Sequence, residues 1–178
     1  MDTSAPDIRF GKDGICSYCT DFLSRSGKFL EEDPVERKRR LDVLVGNVRD
    51  RGKGNPYDCV VGVSGGVDSS WALVKTVEMG LRPLAVHMDN GWNSELAQNN
   101  IANLVRGLDV DLYTHVIDWE EYRALMQAFF DADVINIELL YDNAMLAVNF
   151  QQAARYQVKY ILAGTNATSE GVLMPRDW

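Results

Sequence analysis

Residues Cys59 to Gly80 change hydrophobic period in mid-run. Cys59-Val60-Val61-Gly62-Val63 is a short apolar run, Ser64-Gly65-Gly66 follows, and Trp71, Val74 and Val77 then recur a helical turn apart before Gly80. That pattern predicts a buried strand, a tight turn and a helix. Glycines at 65 and 66 allow positive φ and leave no Cβ in the way, so successive N–H groups can converge on one point. The point lies at a helix N-terminus, where orphan N–H groups and the positive end of the dipole favour an anion such as phosphate. A turn whose glycines merely pack closely is the plainer reading. Hydroxyls at Ser64, Ser69 and Ser70, with a carboxylate at Asp68, exceed what such a turn requires.

The chain has 178 residues, 46% apolar and 25% charged, which is ordinary usage for about one globular domain. Its net charge of −8 argues against a nucleic-acid binder working through a broad basic face. The densest basic run, Arg37-Lys38-Arg39-Arg40, reads as a solvated helix face. No apolar stretch approaches a membrane span, the N-terminus lacks signal-peptide character, and three cysteines do not make a disulfide framework. A cytoplasmic protein without a membrane partner is expected.

Along the chain, residues 1–27 hold turn formers and are expected as a loop segment, with 28–178 as the nucleotide-binding domain. Asp33-Pro34 caps and opens a helix with Leu41, Leu44-Val45 and Val48 as its stripe. Strands are expected at Leu81 to Met88, Asp111 to Val116 and Lys159 to Ala163. Helices are expected from Asn93, from Trp119 with an aromatic core stripe, and over Ile137 to Tyr156. Alternating strands and helices predict an α/β fold, a doubly wound parallel sheet. In such sheets ligands sit at the carboxyl ends of strands, which brings the residues after Val86 and the polar nest Gly164 to Gly171 into the candidate site. His87 reads as a structural core histidine ahead of a catalytic base.

Cys16-Ser17-Tyr18-Cys19 has the spacing of two thiolates on one tetrahedral zinc, but it is half a site. Cys16 and Cys19 are therefore a candidate zinc pair completed from elsewhere; two ordinary thiols, or a redox pair, are the other readings.

The central loop is neither a Walker A loop, since no lysine follows Gly66 before Lys75, nor a G-x-G-x-x-G fingerprint. Ser64-Gly65-Gly66-Val67-Asp68-Ser69 resembles the S-G-G-x-D-S signature of the PP-loop ATP pyrophosphatases, with their adenine-nucleotide alpha-hydrolase-like fold. The resemblance implies that the loop holds the β,γ-pyrophosphate of ATP and that cleavage falls between the α- and β-phosphates. It implies ATP contacts at Val63, Ser64, Gly65, Gly66, Val67, Asp68 and Ser69, and at Met88 and Asp89 for adenine and ribose. Gly164, Thr165 and Asn166 would lie on the α-phosphate side. Ser64, Asp68 and Ser69, with Mg2+, would serve the chemistry.

The flanks Ile8-Arg9-Phe10, Gly14-Ile15-Cys16-x-x-Cys19, Tyr57 to Gly66 and Leu162 to Asn166 resemble the N-acetyl sugar amidotransferases of lipopolysaccharide biosynthesis. That resemblance implies ATP-dependent conversion of the acetamido group of a nucleotide-linked N-acetyl sugar into an acetamidine. A separate glutaminase would supply ammonia, because no glutaminase nucleophile is visible. It also implies a longer chain than one ending at Trp178. A PP-loop enzyme acting on transfer RNA would need a basic appended domain and a further cysteine. A non-catalytic ATP-binding module of the universal-stress type needs a late glycine run that Gly164 to Gly171 fits poorly.

Overall fold

The computed structural model describes residues 2–166 and 170–173. Two compact units form, Met1–Leu41 with Thr165–Trp178, and Asp42–Gly164, the division falling inside a helix.

The larger unit is built on a four-stranded parallel sheet: β1 (Cys59–Gly62), β2 (Pro83–Asp89), β3 (Leu112–Val116) and β4 (Ile161–Leu162). β1 is buried on both faces, which is why it reads as an unbroken apolar run. Its register pairs Val61 with Ala85 of β2 and Val60 with Ile161 of β4. Pro83 opens β2, where its missing N–H costs no ladder bond.

The helices number α1 (Ser17–Leu30), α2 (Pro34–Gly52), α3 (Val67–Glu78), α4 (Glu95–Leu108), α5 (Trp119–Asp131) and α6 (Leu139–Arg155). Alternate residues of β1 face different layers. Cys59 and Val61 pack with Val48 of α2, Leu73 of α3 and Ile101 of α4. Val60 packs with Val148 and Ala153 of α6. At the carboxyl end, Gly62 leaves room for the Asn149 amide, whose Nδ2 would stand 3.3 Å from any Cβ there. The sheet is therefore covered on both faces, as the period of the sequence predicts.

Strand order is β3-β2-β1-β4. The chain steps outward from β1 through β2 to β3, then returns to the far side of β1. The carboxyl end of β1 thus sits at the topological switch point, where open α/β sheets form a crevice for ligands.

Two expectations need correction. The loop foreseen over residues 1–27 carries α1 from Ser17. Ser24 and Ser26 read as breakers, but their hydroxyls bond back to the carbonyls of Asp21 (2.8 Å) and Phe22 (2.7 Å). The aromatic stripe of α5, foreseen as core, has no buried residue: Trp119, Leu125 and Phe130 are exposed. α5 follows the edge strand β3, itself exposed on alternate residues, and neither core cluster includes it.

In the smaller unit Phe10 bridges Cys16 antiparallel, Ser17 N–H donates to the Arg9 carbonyl (2.7 Å), and the Arg25 guanidinium donates to the Gly171 carbonyl (3.3 Å). On α2 Arg39 pairs with Glu36, and Arg40 reaches back to Glu32 before the helix, so the basic run is a solvated face. Among the described residues no helix is long and apolar enough to cross a membrane.

Candidate functional site

The turn after β1 is knotted by its own hydroxyls. The Ser64 N–H donates to Ser69 Oγ (3.1 Å), and the Gly66 N–H donates to Ser64 Oγ (3.3 Å). The hydroxyls of Ser69 and Ser70 donate to the Gly66 carbonyl, at 3.2 and 2.7 Å. Gly65 has φ +79°, and a Cβ there would strike the Ala97 backbone, 2.8 Å from its Cα. Only glycine permits α4 to come this close. Asn100 of α4 completes the contact by donating Nδ2 to the Gly65 carbonyl (3.1 Å).

What the turn leaves open matters as much. α3 begins after Gly66 with no side-chain cap. The N–H groups of Gly65, Val67, Asp68 and Ser69 make no hydrogen bond among the described residues. They stand at a helix N-terminus and are exposed or half-exposed except at Gly65. Such a set can hold a multiply charged anion. The exposed Asp68 carboxylate, which accepts no hydrogen bond among the described residues, is the group at this turn suited to a divalent cation carried by that anion.

The strand ends are braced to one another. His87, 6% exposed, donates Nδ1–H to the Val63 carbonyl (2.8 Å), while its Nε2 accepts from Asn93 Nδ2 (3.1 Å). The two partners together select that tautomer. The same Asn93 amide donates to Asp89 Oδ1 (3.0 Å), which also accepts from the Gly91 N–H (2.9 Å). Val63 N–H donates to the Val86 carbonyl (2.8 Å). His87 therefore has a structural place, as its alternation in the strand suggests. Asn93 entered the sequence reading only as a helix start, and no spacing rule would have joined residues 63, 87 and 93.

The expected site residues fall as follows. Val63 to Ser69, Met88 and Asp89 come to the carboxyl rim of adjacent parallel strands. The Met88 side chain is core, so only its backbone faces the rim. Gly164 follows β4, and a Cβ on it would lie 2.6 Å from the Asp68 carbonyl carbon, which places its backbone against the first turn of α3. Thr165 and Asn166 belong to the smaller unit, where the Asn166 carbonyl accepts from the Glu170 N–H (2.8 Å). Ala167, Thr168 and Ser169 of the polar nest lie outside the described residues, as do Met174 to Trp178.

Cys16 is buried and Cys19 exposed. Cys16 Sγ caps α1 by accepting the Cys19 N–H at 3.4 Å. That bond lowers the Cys16 pKa below the ordinary thiol value, whereas the hydrogen bond to Cys16 raises that of Cys19. No group of three or more His, Cys, Asp or Glu able to hold a metal ion occurs among the described residues, so the pair does not assemble a zinc site there. Cys59 is a core thiol pushed up to about 12 by burial.

A family model described as NAD synthase matches residues 37–173. The chain belongs to the NAD synthase family. That family is part of the PP-loop ATP pyrophosphatase superfamily, in agreement with the Ser64-to-Ser69 signature. Solved structures similar in fold include NMN synthetase from Francisella tularensis (21% identity, 76% of this chain and 56% of that one, TM-score 0.54). Glutamine-dependent NAD+ synthetase from Acinetobacter baumannii in complex with ADP is also similar (21%, 72% and 26%, TM-score 0.58). So is NH3-dependent NAD synthetase from Campylobacter jejuni subsp. jejuni NCTC 11168 in complex with nitrate (14%, 74% and 58%, TM-score 0.53). The chain spans between 26% and 58% of these proteins' lengths. At such identities the likeness is one of fold. No curated protein matches the chain.

Proposed function

We propose that the chain carries the ATP-activating site of an AMP-forming amidotransferase whose acceptor is a nucleotide-linked N-acetyl sugar. The observation that carries the activation half is the uncapped N-terminus of α3, with open N–H groups, at the switch point of a doubly wound sheet. Held there, the β,γ-pyrophosphate becomes the leaving group and the α-phosphorus is open to attack. The acetamido oxygen attacks that phosphorus, the bond to the bridging oxygen breaks, and pyrophosphate leaves with its charge spread over the loop N–H groups. Ammonia then adds to the activated carbon and AMP departs, leaving an acetamidine. Mg2+ would supply charge neutralisation on the phosphates, and Asp68, the carboxylate of the loop, would hold it. Ser64 and Ser69, occupied with each other at 3.1 Å, hold the loop's shape and place their hydroxyls beside the phosphate site. Met88, Asp89 and Gly164 are proposed to complete the nucleotide contacts.

The acceptor half rests on the resemblance of the flanks, Gly14-Ile15-Cys16-x-x-Cys19 above all, to the N-acetyl sugar amidotransferases. Membership of the NAD synthase family favours a second reading, amidation of a carboxylate on a pyridine dinucleotide, by the same adenylation and displacement. Either reading takes ammonia, which a separate glutaminase would deliver.

The test supplies Mg-ATP and ammonium with a panel of nucleotide-linked N-acetyl sugars and a deamidated pyridine dinucleotide, resolving AMP from ADP. AMP and pyrophosphate with one sugar alone is the expected result. AMP with the dinucleotide alone would transfer the activity to the second reading, and ADP in place of AMP would overturn both.

A further inference from the structure

The loop after β2 is pinned at both ends to the phosphate turn. Asn93 is tied to His87 and through it to Val63, and Ala97 lies against Gly65. Between His87 and Asn93, directly before Asn93, stands Trp92, 66% exposed. It is not a loose side chain on a loose loop. Its backbone N–H donates to Asn90 Oδ1 (3.0 Å), and its indole meets Trp119 edge to face, centroids 5.6 Å apart at 64°. Trp119 in turn touches Tyr122 (6.2 Å) and lies 3.5 Å from where a Cβ on Gly91 would be. Edge-to-face packing leaves ring faces without an aromatic partner. Trp119 also walls a cleft of about 500 Å³ with Glu120, Arg123, Ala124 and Gln127. The side chains of Glu120 and Arg123 make no hydrogen bond or ion pair among the described residues, so the cleft presents an unspent carboxylate and guanidinium beside an indole.

We propose that Trp92 and Trp119, with Arg123 and Glu120, bind the planar base of the nucleotide-linked acceptor, next to the loop that holds ATP. The proposal rests on the amidotransferase reading for the acceptor's class, and on the structure for the place. An exposed pair of indoles offers a face to a flat heterocycle, and a charged donor and acceptor beside it can read the ring's edge. The cleft runs along α5 from Trp119, which follows the carboxyl end of β3, and the carboxyl ends of the strands also carry the phosphate turn, which suits two nucleotides meeting at one reacting centre.

The experiment uses the full chain and its W92L, W92F and W119L variants. Intrinsic fluorescence is titrated with UMP, CMP, GMP and AMP, and the acceptor KM is measured beside the KM for ATP. The expected result is saturable quenching by one non-adenine nucleotide, lost in W92L and kept in W92F. With it comes a rise of about 10-fold or more in acceptor KM, at unchanged ATP KM and kcat. An unchanged acceptor KM in W92L, with AMP still formed, would overturn the platform and leave the amidotransferase reading standing. Trp92-dependent quenching without AMP from any acceptor would sustain the platform and sink that reading. Quenching by AMP alone would assign the rings to ATP itself, against the proposal. A wild-type dimer in sedimentation that W92L converts to a monomer, without nucleotide binding, would make this face a contact between copies and overturn it too.

Discussion

The two rims of the parallel sheet use their polar groups in opposite ways. At the amino rim almost everything is spent internally. Arg82 donates from its guanidinium to both Asp58 oxygens (2.6 and 3.3 Å) and to the carbonyls of Gly52 (3.1 Å) and Asn55 (3.0 Å). Tyr57 donates to Asp111 (2.7 Å), and Asn55 to the Gln157 carbonyl (3.2 Å). At the carboxyl rim the braces stop short: His87, Asn93 and Asn100 fix the backbone, and the N–H groups of α3 are left over. The neighbouring helices show that this is not forced by topology. α4 is capped by Ser94 and α5 by Asp118, each accepting an N–H of its own first turn. α6, after Glu138, also lacks a side-chain cap, so the mark of reserved donors is the missing cap together with a glycine turn that leaves the N–H groups open at the switch point.

Filling that reserve should break the contrast most severely. In Gly66→Asp the backbone φ of −80° suits a side chain, and the new carboxylate caps α3 while occupying the anion's place. Mg-ATP affinity is expected to fall by ~100-fold or more, about 2.7 kcal/mol, while thermal stability holds or rises by about 1 kcal/mol. Calorimetric titration beside a melting curve reads both; unchanged ATP binding would show that the donors are not the site.

At the amino rim the expected pattern is reversed. Arg82→Ala strips the guanidinium from Asp58, whose side chain is 2% exposed, but leaves it the Arg82 N–H at 2.8 Å. Stability should drop by about 2–3 kcal/mol, below the range for a fully buried pair because the arginine is half exposed, with Mg-ATP affinity in the folded protein unaltered. Denaturant unfolding checks the first part, and titration at low temperature the second.

His87→Leu sharpens the comparison by loosening the frame without touching the donors. Losing both bonds of a buried imidazole should weaken Mg-ATP binding by about 10-fold, with a stability loss of about 1–2 kcal/mol. Equal ATP affinity in this variant would mean that the turn holds its shape unaided.

The smallest effect is one of pH. The bond to Asp111, aided by partial burial and the negative charge nearby, pushes the Tyr57 phenol up to about 12. The folded state prefers the protonated phenol, so its contribution is whole below the unfolded value near ~10 and disappears as pH rises toward about 12. Tyr57→Phe should cost about 1 kcal/mol at pH 9, and the gap to the wild type should close by pH 12. A gap independent of pH would show that the hydroxyl bond carries none of it.

Much of this was legible in the sequence for local reasons. A strand buried on both faces has to be an unbroken apolar run, a turn that brings backbone to an anion has to be glycine-rich, and the next helix has to repeat at its own period. Cys59 to Glu78 therefore announced itself, and with it the α/β class and the superfamily signature. Alternation placed His87 inside the sheet, and the acidic composition argued against a broad basic face. Tertiary structure decided what depends on residues far apart in the chain. The proton bond from His87 to Val63, the fit of Gly65 against Ala97, the closeness of Gly164 to α3 and the Asp58–Arg82 pair join segments that no period links. It also decided that α5, amphipathic like a core helix, lies outside both buried clusters beyond an edge strand. Hydrophobic pattern states which face wants burial; only the assembled sheet determines whether a layer is there to bury it.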